Sequence, residues 1–210
     1  MTTMTQVISV LGTKGGTSKT TTTIMLATAL ASKGKRVLVL DSDLQRDALE
    51  WAERAGKEIG FTAKATPTTQ TLNTALARNS SADLDYIIVD TPPGSNSIIN
   101  AAATSSDLAL IPTGVSDGEI RQVQKLIDSL AGSGTPIAIV LSNVDKRVKD
   151  GRILHESLQA HERAAVADAL IPMRNAIRKS YFKLPQITTK PFAECMELAE
   201  EIESALAQMK

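Results

Sequence analysis

The residues best suited to chemistry lie near the start of the chain, where Gly12 to Thr21 reads GTKGGTSKTT. An apolar run precedes this segment and a helical pattern follows it, so a glycine-rich turn joins a strand to the start of a helix. Backbone N–H groups in such a turn, together with the positive end of the helix dipole, bind an anion. The spacing therefore predicts a phosphate-binding loop. In this interpretation Lys19 reaches the β- and γ-phosphates and the Thr20 hydroxyl is placed to bind magnesium.

The loop departs from the common phosphate-loop pattern G-x-x-x-x-G-K-[ST]. Thr13 and Ser18 stand at its two glycine positions, and a second lysine, Lys14, precedes Lys19 by five residues. A side chain at Ser18 has to fit close to the phosphates, where glycine is usual. The alternative interpretation is a tight strand-to-helix turn whose lysines have no special role.

Carboxylates follow two further apolar runs. Asp41 and Asp43 come after Val37–Leu40, and Asp90 comes after Tyr86–Val89. Carboxylates at the C-terminal ends of parallel strands face the ligand crevice of a doubly wound sheet. Asp90 takes the position of a Walker B aspartate, which binds magnesium directly or through water. The alternative for Asp41 and Asp43 is a solvated strand end with a helix N-cap, and the alternative for Asp90 is a buried strand end with a prolyl turn.

A side-chain amide follows the apolar run Ile137–Leu141. Asn143 can donate and accept hydrogen bonds at once, which suits the edge of an adenine, although a turn-forming asparagine is the alternative. Asp145 resembles part of a guanine-specific loop, but the lysine that precedes the aspartate in such loops is missing. ATP is therefore favoured over GTP.

These segments resemble the ParA/MinD family of deviant Walker ATPases, whose phosphate loop reads K-G-G-x-x-K-[ST]. The family's acidic motif D-x-D-P-Q is similar to Asp41–Gln45, with Leu44 in place of proline, and its frequent downstream tryptophan corresponds to Trp51. The segment Asp90–Gly94 resembles the family's D-x-P-P-[GS]. The chain is most similar to the short ParA-type ATPases that partition plasmids.

The resemblance implies a role for individual residues. Lys14 would cross a dimer interface to the partner's nucleotide and, with Lys19, neutralise charge on the phosphates. Asp43 would orient the attacking water, and Asp41 would help to hold the magnesium–water shell. The nucleotide-binding set expected from the loop and the resemblance is Lys14, Gly15, Gly16, Thr17, Ser18, Lys19, Thr20, Thr21, Asn143 and Pro191. The expected metal-binding set is Thr20, Asp41 and Asp90.

The elements that position these residues alternate along the chain. Short apolar runs suit strands buried on both faces, and helical stretches lie between them. This alternation predicts an α/β fold, a doubly wound and mostly parallel sheet with helices on both faces. The polar segment Thr62–Asp85 is predicted as a helix with flanking loops. Because no composition break divides residues 1–210, a single P-loop ATPase domain is expected.

Composition excludes several classes of protein. Lysine and arginine total 23, as do aspartate and glutamate, so the whole chain is not a polycation. The single cysteine excludes an internal disulfide framework, a four-cysteine zinc site and an iron–sulfur site built from one subunit. The apolar runs are far shorter than the roughly 18 residues of a membrane-spanning helix. We expect a cytoplasmic, nucleoid-associated protein.

Charge is nevertheless segregated towards the end of the chain. Residues 146–190 contain ten basic and four acidic residues, a net charge of +6. Basic clustering without a base-reading motif fits non-specific contact with DNA phosphates, whereas an ordinary solvated helix face is the alternative. The DNA-binding candidates are Arg147, Lys149, Arg152, Arg174, Arg178, Lys179 and Lys183.

The last helical stretch, Phe192–Met209, is acidic rather than basic. Its apolar positions Leu198, Ile202, Leu206 and Met209 share one face, which predicts docking onto the core and not onto anionic lipid. We therefore expect no membrane partner. A MinD-like ATPase at a membrane, or one that positions a protein cargo, remains the alternative function.

The function expected from the resemblance is partition of DNA. An ATP-bound homodimer would bind DNA non-specifically, and a ParB-like centromere-binding partner would stimulate slow ATP hydrolysis and release. ATP and Mg²⁺ are the expected cofactors, and plasmid or chromosome segregation is the expected outcome.

Overall fold

A computed structural model of the chain describes residues 4–79, 83–144 and 163–209. In these ranges the sheet has eight strands: β1 (Gln6–Val10), β2 (Val37–Asp41), β3 (Thr62–Ala65), β4 (Tyr86–Asp90), β5 (Leu108–Thr113), β6 (Ile137–Val144), β7 (Ala165–Val166) and β8 (Ile171–Pro172). Their order is β3-β2-β4-β1-β5-β6-β7, with β8 also paired to β6. The recorded pairings are parallel. The predicted doubly wound, mostly parallel sheet is confirmed.

The connections carry the helices. They are α1 (Lys19–Ser32), α2 (Asp47–Ala55), α3 (Thr69–Asn79), α4 (Asn96–Thr104), α5 (Asp117–Ser129), α6 (Asn175–Lys179) and α7 (Ala193–Gln208), with 3₁₀ turns at Lys57–Ile59 and Lys190–Phe192. Helix α5 begins with a capping box, in which the Ser116 hydroxyl accepts from the Glu119 N–H and the Glu119 carboxylate accepts from the Ser116 N–H. Two backbone N–H groups at the start of the helix, which have no partner within it, thereby gain hydrogen-bond acceptors.

Alternate residues of the strands enter two separate cores. Along β2, Val37 and Val39 join the core beneath α1, α2 and α7, whereas Leu38 and Leu40 join the core beneath α3, α4 and α5. Successive side chains of a strand point to opposite faces, so a strand covered on both faces has to be apolar throughout. This explains the continuous apolar runs in the sequence.

The main error in the predicted elements lies between Thr62 and Asp85. The predicted helix is present as α3, but the segment also contains β3, which pairs with β2 at the edge of the sheet. The sequence TAKA has exposed threonine and lysine at alternate positions, because an edge strand meets solvent on one face. Such a short polar strand lacks the apolar run on which the prediction relied.

Helix α7 docks onto the core as predicted. Leu198, Ile202 and Leu206 are buried, and α7 packs against α1. Met209 differs from the prediction, because it lies just beyond the helix and is 52% exposed. Within the described ranges, no helix has the length and apolar character needed to cross a bilayer.

Candidate nucleotide-binding site

The glycine-rich loop lies at the centre of the sheet, because β1 is flanked by β4 and β5. The loop leaves the C-terminal end of β1 and leads into α1, whose first residue is Lys19. Gly16 and Ser18 both have positive φ, at 81° and 62°. Ser18 is the N-cap of α1 but its side chain makes no capping hydrogen bond. The first N–H groups of a helix have no partner within the helix, so this geometry supports anion binding.

Lys19 is held over the loop. Its side chain is buried, and Nζ donates to the carbonyl oxygen of Lys14 at 3.0 Å. Burial lowers the pKa of Lys19, and the nearby carboxylates of Asp90 and Asp43 act in the opposite direction. The Lys14 side chain, in contrast, is exposed at the surface. The two lysines of the loop therefore have different environments, one inside the site and one at its rim.

Asp41 and Asp90 are cross-strand neighbours in register at the ends of β2 and β4. Both are buried. Asp90 accepts hydrogen bonds from the Thr20 hydroxyl at 2.8 Å and from the Thr23 hydroxyl at 3.1 Å. Burial, aided by the Asp41 charge, raises the pKa of Asp90 to about 7 against the lowering effect of these hydroxyls and Lys19. A cation at this point would therefore relieve an unfavourable concentration of negative charge.

Asp41 also organises the turn that follows β2. One carboxylate oxygen accepts from the Asp43 N–H at 3.0 Å, and the other accepts from the Leu49 N–H at 2.9 Å. Burial raises the pKa of Asp41, and these backbone hydrogen bonds partly offset that effect. Asp43 in turn accepts from the Gln45 N–H at 2.9 Å. The acidic motif is thus a hydrogen-bonded turn that connects β2 to α2.

The donor set fits magnesium bound with a nucleotide. Thr20 and Asp90 already lie together, and Asp41 is beside them. In the part of the chain that the structure describes, no group of three or more His, Cys, Asp or Glu residues forms a metal cage. Magnesium in nucleotide sites needs no such cage, since one or two carboxylates and the phosphates hold it. The metal-binding roles of Thr20, Asp41 and Asp90 stay predictions with compatible geometry.

A cavity of about 450 Å³ extends from the start of α1 towards β6 and α6. It brings Ser18 and Thr21, from the loop and α1, together with Asn143. Asn143 is exposed, has φ 58° and lies at an irregularity in the pairing of β6 with β8. Non-glycine residues rarely adopt this conformation, and they do so most often where a site requires it. We name the two sides of the cavity after the contacts that the sequence predicts, the phosphate side at the loop and the base side at Asn143.

The base side of the cavity also contains residues that the sequence did not indicate as nucleotide ligands. They line the cavity together with Asn143 and come from β8, from α6 and from the residues next to these elements: Ile171, Pro172, Met173, Arg174, Ile177, Arg178 and Tyr181. No local motif marks them, because their common position arises only when β8 pairs with β6. Met173 and Tyr181 are large apolar side chains that the structure leaves exposed, and the sequence gives no sign of this exposure.

Pro191 lies outside the lining of this cavity. Its carbonyl oxygen accepts from Arg174 Nη1 at 2.8 Å, and the Arg174 guanidinium also forms a two-pronged ion pair with Glu194. Arg174 also lines the cavity, so it connects the cavity lining to Pro191. A contact between Pro191 and a base stays a prediction.

The DNA-binding candidates fall into three groups. Arg178, Lys179 and Lys183 are exposed on α6 and the segment after it. Arg174 is half-buried and paired with Glu194, so its charge is compensated within the chain. The remaining candidates, Arg147, Lys149 and Arg152, lie outside the described residues.

Comparison with known proteins assigns the chain to a family. The model of the CobQ/CobB/MinD/ParA nucleotide binding domain matches residues 8–185. The chain belongs to this family. The resemblance inferred from the phosphate loop is thereby confirmed.

Individual relatives agree with this assignment. The maintenance of carboxysome distribution protein A of Gloeobacter kilaueensis is 35% identical over 77% of this chain and 81% of its own length. Among solved structures, the septum site-determining protein MinD of Pyrococcus horikoshii, complexed with Mg-ADP, has a TM-score of 0.75 at 21% identity and covers 99% of both chains. A pNOB8 ParA bound to nonspecific DNA has a TM-score of 0.70 at 18% identity, covering 99% of this chain and 100% of its own. These neighbours share the fold described above.

Proposed function

We propose that the chain is a ParA-type ATPase, a single P-loop domain that binds ATP with Mg²⁺, dimerises, binds DNA and segregates a plasmid or chromosome. The observation that carries this proposal is the cavity that joins Ser18 and Thr21 to Asn143. Thr20, whose hydroxyl donates to Asp90, lies between Ser18 and Thr21 in the chain. The volume of the cavity, about 450 Å³, is that of a small-molecule site. The Mg-ADP complex of the MinD neighbour supports the choice of ligand.

In the proposed reaction, the chain positions ATP and a water molecule. Lys19 exchanges its hydrogen bond to the Lys14 carbonyl for the phosphates, and Asp43 orients the attacking water from the turn after β2. Magnesium, when bound, neutralises charge on the β- and γ-phosphates. These motifs provide positioning and electrostatic stabilisation without a strong general base, so we propose slow hydrolysis that a ParB-like centromere-binding partner stimulates.

The proposed dimer rests on the resemblance of Lys14 to the family's signature lysine, and the exposed position of Lys14 is compatible with it. In the described chain its side chain lies at the rim of the site, where a second subunit can approach. We propose that Lys14 reaches the nucleotide of the partner subunit, so that ATP binding favours the dimer. Two lysines would then act on each nucleotide, one from each subunit.

DNA binding would use the exposed cations of α6 and the residues that follow it. Arg178 lines the cavity, and the exposed Lys179 and Lys183 follow it in the chain, so we propose that nucleotide occupancy and DNA contact share one segment. The fold neighbour pNOB8 ParA is bound to nonspecific DNA, which supports this choice of partner. Contacts between lysine or arginine and phosphates are strongly weakened by salt.

A retention assay tests this function. The chain is passed over immobilised random-sequence DNA at low and high salt with Mg-ATP, Mg-ADP or no nucleotide. We expect retention at low salt with Mg-ATP and loss of retention with Mg-ADP, without nucleotide or at high salt. Equal retention in the three nucleotide states, or retention in none, would remove the nucleotide-gated DNA surface.

The second candidate function is the positioning of a protein cargo. The 35% identity to a carboxysome distribution protein specifically favours it. A ParB-like protein on centromere DNA would stimulate ATP hydrolysis in the partition function, whereas a cargo-bound protein would do so in this one. Liposomes in a parallel assay test a MinD-like membrane function, against which the buried apolar face of α7 argues.

A further inference from the structure

Tyr181 connects the cavity to helix α2. Its side chain lines the cavity and is 43% exposed, and its hydroxyl donates to Asp47 Oδ2 at 2.8 Å. Asp47 is the first residue of α2. Burial and the neighbouring Asp47 raise the pKa of Tyr181 to about 12, so the hydroxyl keeps its proton and donates at neutral pH. One side chain therefore touches both the base side of the cavity and the start of α2.

The start of α2 is itself fixed to the acidic turn. Asp41 accepts from the N–H of Asp43 and from the N–H of Leu49, which lies in the first turn of α2. A displacement of α2 therefore changes the distance between the Leu49 N–H and Asp41, and with it the turn that holds Asp43. The water-orienting carboxylate and the first turn of α2 form one hydrogen-bonded unit.

An aromatic cluster strengthens the connection. The rings of Trp51, in α2, and Tyr181 meet edge to face at 4.9 Å between centroids, and Tyr181 lies 4.3 Å from Phe182. Trp51 Nε1 donates to the carbonyl oxygen of Lys183 at 2.7 Å, and the Arg54 guanidinium lies 4.8 Å from the centre of the Phe182 ring. Aromatic pairs of this geometry stabilise a structure beyond the contribution from burial of their surface. Helix α2 and the segment after α6 are thus joined at several points.

We infer that Tyr181 is a positioning residue that transmits occupancy of the base side of the cavity to Asp43. The inference rests on the proposed function. A nucleotide in the cavity restrains the Tyr181 ring, and the hydrogen bond to Asp47 together with the contact with Trp51 restrains α2. The acidic turn then holds Asp43 in the position that hydrolysis needs.

The variant Tyr181→Phe tests the inference, because it keeps the ring and removes only the hydroxyl that bonds to Asp47. We expect kcat for ATP to fall about threefold to tenfold, the worth of one hydrogen bond, while the Kd for ATP changes by less than about twofold. Tyr86→Phe is the matched control, since Tyr86 lies at the far end of β4 from Asp90. It should leave kcat and Kd unchanged.

The fluorescence of Trp51 gives a second readout, because it is the single tryptophan of the chain. Addition of Mg-ATP should change its emission in the native chain and change it less in Tyr181→Phe. Circular dichroism without nucleotide checks that Tyr181→Phe is folded, since loss of one hydrogen bond should lower the urea midpoint only slightly.

A double-mutant cycle separates the hydrogen bond from other effects of the variant. Asp47→Ala and Asp47→Ala/Tyr181→Phe should show the same kcat, because the first change already removes the acceptor. A native kcat in Tyr181→Phe, or full additivity of the two changes, would overturn the inference. Failure of the native chain to bind or hydrolyse ATP is a different result, which overturns the proposed function instead.

Discussion

The phosphate side of the cavity comes from consecutive residues, whereas the base side comes from residues far apart in the chain. Gly12–Thr21 forms the whole loop, and Asp90 meets it from the neighbouring β4. Asn143 and Tyr181 line the same cavity only because β8 pairs with β6 and places α6 beside it. The phosphate side contains the buried charges of Lys19 and Asp90 beneath an exposed loop, while the base side is more exposed and partly aromatic.

This difference shows how the two sides contribute to function. The phosphate side contains concentrated charge, so substitutions of its charged residues should affect chemistry and stability strongly. The base side relies on contacts between segments, so its substitutions should act on affinity and on communication between segments. Four substitutions test the phosphate side, from the largest expected effect to the smallest, and a titration of Asn143→Gly tests the base side.

Replacement of Lys19 by alanine should have the largest effect. Because Lys19 is the buried cation of the loop, its loss should lower kcat/KM for ATP hydrolysis by about a thousandfold, the size typical of losing a transition-state donor. Steady-state phosphate release measures the change. The exposed Lys57, changed to alanine, is the control and should keep native activity. Native activity in Lys19→Ala would show that the loop is not the catalytic phosphate site.

The burial of Asp90 predicts an effect of pH on stability. Its folded-state pKa of about 7 is raised, so the folded chain keeps the proton while the unfolded chain, near its usual pKa of about 3.9, loses it. The free energy of unfolding therefore falls progressively as pH rises from about 4 to about 7. The groups that surround the Asp90 carboxyl are Asp41, Lys19, Thr20 and Thr23.

Asp90→Asn should remove this loss of stability. We expect the variant to be more stable than the native chain by on the order of 4 kcal/mol at pH 8 and nearly equal near pH 4, without nucleotide or magnesium. Urea unfolding across this pH range with a chelator measures the difference. A stability difference that does not change with pH would contradict the assignment of the raised pKa to Asp90.

Lys14→Ala tests the surface position of the second lysine. If Lys14 contacts the nucleotide of the other subunit, its loss should weaken the ATP-bound dimer by about tenfold or more, the worth of a charged hydrogen bond, and leave ATP binding by the monomer intact. Sedimentation with a non-hydrolysable ATP analogue measures the dimer. Lys64, exposed on the edge strand β3, provides the alanine control. An unchanged dimer in Lys14→Ala would remove the role between subunits.

Ser18→Gly should have the smallest effect, and it should be stabilising. Ser18 has φ 62° and makes no side-chain capping bond, so glycine relieves a left-handed conformation that costs an L-residue about 1 kcal/mol or more. The greater freedom of glycine in the unfolded chain offsets part of this gain, leaving about 0.5 kcal/mol. Urea unfolding of the nucleotide-free chain measures it. Ser129→Gly, in the right-handed last turn of α5, should instead lose stability, and a loss in Ser18→Gly would contradict the argument.

The sequence allowed prediction of the parts that depend on local patterns. The strand ends that carry Asp41 and Asp90 follow from buried apolar runs, and the loop that contains Lys19 follows from its glycines and the helix after it. Each of these features is contained within about ten consecutive residues. The register of β2 with β4, which makes Asp41 and Asp90 neighbours, is known only from the structure.

The remaining features depend on contacts between distant segments. The short strand β8 has only two residues, one of them a proline, so the sequence does not mark it as a strand. Its pairing with β6 nevertheless places the residues around it beside the cavity that Tyr181 lines. The pairing of Arg174 with Glu194 likewise could not be read from a cluster of basic residues. Local periodicity carries no information about such pairings, since they depend on how the whole sheet and α7 pack.

One titration tests most directly whether a single nucleotide spans both sides. Calorimetry with magnesium compares ATP with inorganic tripolyphosphate, for the native chain and for Asn143→Gly, which keeps the positive φ of Asn143 and removes its amide. We predict that the native chain binds ATP about tenfold or more tightly than tripolyphosphate, and that Asn143→Gly loses most of this advantage while its affinity for tripolyphosphate is unchanged. Equal affinities of the native chain for ATP and tripolyphosphate would contradict the two-sided site.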